Sequence, residues 1–207
     1  MVESQIIARG VRDPRVLEAM IAVPRDLFVP PEVRMFAFED RALPIGRDQT
    51  ISQPFIVAYM TEQLEVPPDG TVLEIGAGSG YQTAILARLA RHVYTIERIP
   101  EVYEMAVRNL KALEITNVTA ILGDGSRGLT EHAPFDRILV TAASPKVPRP
   151  LVEQLEDGGI LVIPVGGEAE QTIVRVTRHG ERITETPTLA CRFVKLIGEE
   201  GWRSGDL

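Results

Sequence analysis

The sequence is poor in the residues that staple or metallate a fold. One residue of its 207 is a cysteine, Cys191, so no internal disulfide forms and the fold does not depend on an oxidising compartment. The three histidines, His92, His132 and His179, lie far apart and share no ligand spacing with Cys191. That argues against a zinc site, and no metal is expected. No stretch is long and apolar enough to span a bilayer, and the charged N-terminus MVESQIIARGVRDPR has no apolar signal region. Cations are in deficit, 22 Lys and Arg against 29 Asp and Glu, for a formal net charge of -7. A general nucleic-acid binder needs a basic surface to replace phosphate counterions, so that class is excluded. The expectation is a cytoplasmic monomer with neither a membrane nor a nucleic-acid partner.

What is present fits one compact domain with enough apolar residues, 44%, for a sizeable core. Its organisation changes once, near residue 70. Residues 1–70 read as helix and loop, with a helix over Asp13 to Val23, an irregular stretch from Arg41 to Gln49, and a helix after Ser52 that carries Ile56, Tyr59, Met60 and Leu64 on one face. Residues 71–198 alternate strand and helix. Strands are predicted at Thr71 to Ile75, His92 to Glu97, Val118 to Leu122, Phe135 to Thr141 and Gly159 to Val165. Helices are predicted at Tyr81 to Ala90, Pro100 to Leu113 and around Leu151 to Leu155. The pattern after residue 170 reads as antiparallel strands turning at His179-Gly180. Residues 199–207 read as a loose polar tail that includes Trp202. The fold class that follows is α/β: a central, mostly parallel sheet with antiparallel edge strands and an N-terminal helical and loop extension.

The strongest chemical signal is LEIGAGSGY, residues 73–81, between a predicted strand and a predicted helix. Gly76 permits a tight turn, Gly78 lets backbone approach a ligand, and Gly80 allows close packing at the helix start. The third glycine comes one residue earlier than in the dinucleotide pattern, and Glu74 stands two residues before the first. A carboxylate there would repel a pyrophosphate but suits the ammonium of S-adenosyl-L-methionine. Glu97 ends the next strand, where an acidic side chain accepts ribose hydroxyls. Asp124, in GDGS after the third strand, is placed to accept from an adenine amino group. Taken singly, Glu97 reads as a solvated strand end and Asp124 as a turn residue. In order, at the ends of consecutive strands, they favour a nucleoside ligand. Ser52 reads as a helix N-cap that could also face an anion such as a carboxylate.

The blocks LPIGRDQTISQPFIVAYMTEQL, VLEIGAGSGYQTAILA, VYTIERIPE, GDGSRGL, FDRILVTAASPKVPRPLVEQLEDGGILVIPVG and RFVKLIG cover most of residues 41–198. In them the chain resembles the protein-L-isoaspartate O-methyltransferases, which have a Rossmann-like class I methyltransferase fold. TISQP, ERIPE and VTAASPKVP carry the family specificity. Two departures are Asp48, where the family commonly has Gly, and Ala77, where Thr is common. The resemblance implies methyl transfer from S-adenosyl-L-methionine to the free α-carboxylate of L-isoaspartyl residues, with D-aspartyl as a further substrate, in damaged proteins and peptides. It implies Ser52 as the active-site residue beside the substrate carboxylate and Thr141 and Ala142 as the substrate-facing wall. It places Thr50, Ile51, Gln53, Glu74, Gly76, Ala77, Gly78, Glu97, Arg98, Asp124 and Gly125 around the cofactor.

A carboxylic acid with a pKa near ~4 is already ionised at neutral pH, so no general base is demanded, and Ser52 would orient rather than deprotonate. Rival readings are a small-molecule methyltransferase with the same cofactor core, a nicotinamide oxidoreductase, which the glycine spacing opposes, and a non-catalytic binding module.

Overall fold

The computed structural model describes residues 1–203. The chain opens with short helical turns at Val2–Ile6 and Ile7–Arg9 and then α1, Pro14–Ala22. Asp13 caps α1 by accepting from the amides of Arg15 and Val16, with Pro14 at the first helical position. Two 3-10 turns follow, Arg25–Phe28 and Pro31–Phe36. The stretch expected to be irregular is instead a hairpin of β1, Leu43–Gly46, and β2, Gln49–Ile51. Arg47 and Asp48 both adopt left-handed φ, 53° and 56°, which makes a two-residue turn whose twist matches that of paired strands. α2, Pro54–Leu64, carries the N-terminal extension onto the sheet. Of the predicted stripe Met60 and Leu64 are buried and Ile56 and Tyr59 half-buried, while Pro54, Phe55, Val57, Ala58 and Thr61 complete the buried face.

The alternation after residue 70 has the expected order: β3 Thr71–Ile75, α3 Tyr81–Ala87, β4 His92–Glu97, α4 Pro100–Ala112, β5 Val118–Leu122, β6 Phe135–Val140, α5 Arg149–Glu153 and β7 Leu155–Gly166. β8, Gln171–His179, and β9, Arg182–Cys191, complete a seven-stranded sheet of order β5-β4-β3-β6-β7-β8-β9. The first five of these strands run parallel, and β8 and β9 add antiparallel at one edge. Inner strands alternate between two cores. Val72, Ile160 and Val162 pack into the cluster beneath α1, α2 and α3, while Leu73, Leu161 and Ile163 pack into a second cluster with Phe135 and Leu151. A parallel sheet buried on both faces explains the near-continuous apolar runs in these strands.

The order reverses between β3 and β6, because successive crossovers go one way to β4 and β5 and the other way to β6 and β7. Open α/β sheets bind ligands at such a switch point, beyond the carboxyl ends of the strands. No helix among the described residues is long and apolar enough to cross a membrane.

Residues 192–203, after β9, are neither a strand nor a loose tail. Ala143 donates to the Val194 carbonyl and accepts from the Leu196 amide, which lays residues 193–197 across the ends of the strands. Trp202 is docked rather than free: its amide bonds to the Leu196 carbonyl and its indole Nε1 to that of Ala143. The indole has a donor to satisfy when it packs, and the Ala143 carbonyl accepts it. The remainder of the expected tail, residues 204–207, lies outside the described residues.

Candidate active site

A cavity of about 980 Å³, counting its mouth, opens at the switch point. The glycine loop forms its floor. Gly76 has φ +95°, and a Cβ there would stand 2.4 Å from Thr141 Oγ1, so only glycine fits against the end of β6. Thr141 locks that junction, since its hydroxyl lies 3.0 Å from the Ile75 carbonyl and 2.6 Å from that of Gly76. Gly80 packs beneath α4, where a Cβ would meet the Ala106 carbonyl at 3.3 Å.

Glu97 sits on the cavity wall, and backbone amides fix its carboxylate on both sides. Gly78 donates to Oε2 at 3.0 Å, and Arg98 and Ile99 donate to Oε1 at 2.8 and 3.0 Å. An acceptor held this way needs no reorganisation to meet a pair of ligand hydroxyls. Of the other expected cofactor residues, Thr50, Ile51, Gly76, Ala77, Gly78, Arg98 and Gly125 line the same cavity. Gln53 lines an adjoining cavity instead, and its amide nitrogen bonds Asp40.

Two of the expected cofactor residues lie off the cavity wall. Glu74 is fully buried inside the sheet and absent from the cavity wall. Its Oε2 accepts the hydroxyls of Thr83 at 2.5 Å and Thr95 at 2.6 Å, while Oε1 has no partner. Burial pushes its pKa up to about 8, against the pull of those two hydroxyls, so it is a neutral acid at pH 7. Its carboxyl does not face the cavity in which a ligand's ammonium would lie. The physical reason is strand geometry: β3 is buried on both faces, and residue 74 lies within it rather than beyond its end. Asp124 is likewise off the wall. Oδ1 accepts from the Ser126 amide at 2.9 Å, and Oδ2 accepts from the Glu199 amide at 2.8 Å. Partial burial works to raise its pKa, but those amides, the Ser126 hydroxyl and nearby Arg98 hold the carboxyl below its usual range. Asp124 anchors the strap, and its neighbour Gly125 faces the cavity.

A second cavity, of about 790 Å³, adjoins the first, and the two share Thr50, Ser52, Ile56, Thr141, Phe193 and Val194. Ser52 therefore stands at the junction. It is not the predicted cap: Gln53 is the N-cap of α2, with Pro54 at the first helical position. Among the described residues its hydroxyl takes part in no hydrogen bond, which leaves it available to a ligand. Ala142 lines the first cavity only. Cys191 borders the second, where burial pushes its thiol up to about 11, so it is not a nucleophile at neutral pH.

Sequence reasoning did not reach the roof, residues 193–197 of the strap. The block RFVKLIG marked that stretch but gave no sign that it crosses the sheet. Tyr81 lines the cavity as well as packing in the core. Among the described residues no three His, Cys, Asp or Glu side chains cluster as a metal site.

Comparison with known proteins agrees with this geometry. The family model described as protein-L-isoaspartate(D-aspartate) O-methyltransferase matches residues 1–201. A protein-L-isoaspartate O-methyltransferase of Methanoregula boonei is 58% identical over 204 residues, covering 99% of this chain and 94% of that one. One from Geobacter metallireducens is 54% identical, covering 98% and 94%. Among solved structures, a protein-L-isoaspartate O-methyltransferase superposes with a TM-score of 0.84 at 29% identity. That alignment covers 94% of this chain, which spans 64% of the longer relative. A Plasmodium falciparum structure in complex with S-adenosyl-L-homocysteine shares the fold, with a TM-score of 0.82 at 24% identity over 92% and 94% of the two chains. The chain belongs to the protein-L-isoaspartate(D-aspartate) O-methyltransferase family.

Proposed function

We propose that this protein methylates the free α-carboxylate of L-isoaspartyl residues in damaged proteins and peptides, and so begins their repair. S-adenosyl-L-methionine, when bound, supplies the methyl group from its sulfonium. The residues present fit it: a carboxylate fixed by three amides for ribose hydroxyls, a side-chain-free glycine loop, and apolar walls at Ile75, Ile96 and Leu196. The observation that carries the acceptor side is Ser52, whose unengaged hydroxyl lies where the two cavities meet. One cavity suits the donor, and the second gives room for a polypeptide.

The chain's own work is orientation and exclusion of water. Ser52 donates to one carboxylate oxygen and leaves the other for the transfer. No base is needed, because the acceptor is already ionised. The reaction joins an anion and a cation into neutral products, so it gains from a closed, weakly polar site. Met60, Phe193 and Leu196 supply that lining. The same reading takes the protein as a monomer of the cytoplasm, in keeping with its single cysteine.

The test is transfer of labelled methyl to a peptide containing L-isoaspartate beside the same peptide with normal L-aspartate. Base-labile label on the first alone is expected. Ser52→Ala should lower kcat about 10²-fold, with cofactor affinity unchanged. Label on neither peptide, with cofactor still bound, would discard the repair assignment.

A further inference from the structure

Arg25 has no solvent exposure and, among the described residues, no carboxylate partner. An arginine so placed is expensive, because its charge leaves water without a counter-ion. Burial accordingly draws the guanidinium below its ordinary pKa. A neutral side chain of similar size would pack there at lower cost, so stability alone does not explain it.

Its hydrogen bonds do. Nε donates to the carbonyl of Ala37 at 2.7 Å, and Nη2 donates to the carbonyl of Ser52 at 2.7 Å. The guanidinium carbon lies 4.9 Å from the ring centre of Tyr81, the first residue of α3. One rigid fork thus joins the 25–37 segment, the residue between the two cavities and the helix that follows the glycine loop. Ser52 needs such an anchor. It lies between the end of β2 at Ile51 and the N-cap Gln53, outside both the hairpin ladder and α2.

We infer that Arg25 is a positioning residue for methyl transfer, which fixes the Ser52 backbone so that the hydroxyl meets the acceptor carboxylate. This rests on reading Ser52 as the residue that orients the acceptor. Arg25 acts through geometry rather than charge. A positive charge near the acceptor favours the bound carboxylate over a transition state in which that charge is disappearing, so charge alone would lower KM without raising kcat.

Arg25→Lys separates the two effects, since lysine keeps the charge and loses the fork. It should lower kcat about tenfold or more, with cofactor affinity and the KM for an isoaspartyl peptide held within about threefold. Arg25→Met should lose the same in kcat and also raise the peptide KM. Combined with Ser52→Ala, Arg25→Lys should add no more than about a further twofold, because both act on one hydroxyl. A wild-type kcat in Arg25→Lys would overturn the inference, as would losses that multiply in the double variant. If Ser52→Ala keeps its full rate, the reading of Ser52 fails first, and the role of Arg25 fails with it. Melting temperature and cofactor titration establish that each variant is folded. Should neither Arg25 variant fold, the wild-type protein carries the test by nitrogen-15 NMR. The Arg25 guanidinium protons should exchange far more slowly than those of exposed arginines, with and without isoaspartyl peptide, and fast exchange would overturn the assignment.

Discussion

The two halves of the site are built in opposite ways. The cofactor cavity takes its largest single share from one run of chain, residues 75–99, which carries the glycine loop and Glu97, while residues 49–60, Gly125, Thr141, Ala142 and residues 193–197 close it. The acceptor wall is gathered from Arg9, Ala42, residues 50–56, Thr141 and residues 189–194, stretches that meet only in the finished fold. Strand-loop-helix units place their ligand groups by local rules, so spacing alone reveals them. A wall assembled from distant segments has no such spacing. Glu97 and Glu74 repeat the lesson within the first half. One ends its strand and is held on the cavity wall by backbone amides, while the other lies a residue inside its strand and is buried, its pKa pushed up to about 8.

If the halves are separable, each should fail alone. Glu97→Gln gives the largest expected effect: binding of S-adenosyl-L-homocysteine, measured by titration calorimetry, should weaken about 10²-fold, or ~2.7 kcal/mol. The KM for the isoaspartyl peptide should stay near its wild-type value. Equal damage to both constants would show that the two walls are one unit.

The strap is the place where the halves touch, since Phe193 and Val194 belong to both cavities. Trp202→Ala removes the indole that pins it at Ala143 and should weaken cofactor binding about tenfold. Unchanged binding would mean that the Asp124–Glu199 contact holds the strap unaided.

Glu74→Gln sharpens the contrast between the two carboxylates. The folded pKa of about 8 lies above the unfolded value, so the native state holds the proton more tightly. Stability from this group is fully present below the unfolded pKa. It declines as pH rises toward about 8 and is flat above it. Glutamine cannot ionise, so the variant should lose that slope and gain most at pH 8, where each kcal/mol reads as about 2–4 °C in Tm for a domain of this size. Cofactor affinity should not move. A tenfold loss of affinity would return Glu74 to the ligand.

Much of the sheet was legible because its cues are local. β3, β4 and β5 follow the expected boundaries, and the glycine loop needed only its flanking strand and helix. The hairpin β1–β2 was hidden because Arg47-Asp48 is an unusual pair for a turn that needs two left-handed residues. Ser52 was misplaced by one position because a serine before a helix reads as its cap, while Gln53-Pro54 starts the helix in fact. Arg25 gave no sign, since an arginine among Pro24, Leu27 and Phe28 looks like a surface residue until Ala37 and Ser52 close over it.

The smallest prediction tests whether hairpin geometry reaches the acceptor wall. Asp48 holds φ 56° and, among the described residues, has no hydrogen bond or ion pair. Glycine adopts that conformation without a Cβ penalty, which favours Asp48→Gly, but it also enlarges the unfolded ensemble, which opposes it. The first term is the larger where both central residues are left-handed, so a gain of about 0.5 kcal/mol is expected, or roughly 1–2 °C in Tm. Arg47 keeps its exposed ion pair with Glu101, which contributes little either way. Because β2 leads directly into Ser52, kcat is the more telling number. It should stay within about twofold of wild type, since Ser52 is anchored from behind by Arg25 rather than by the turn. A fall in kcat with unchanged melting temperature would move that anchor from the buried arginine to the hairpin tip.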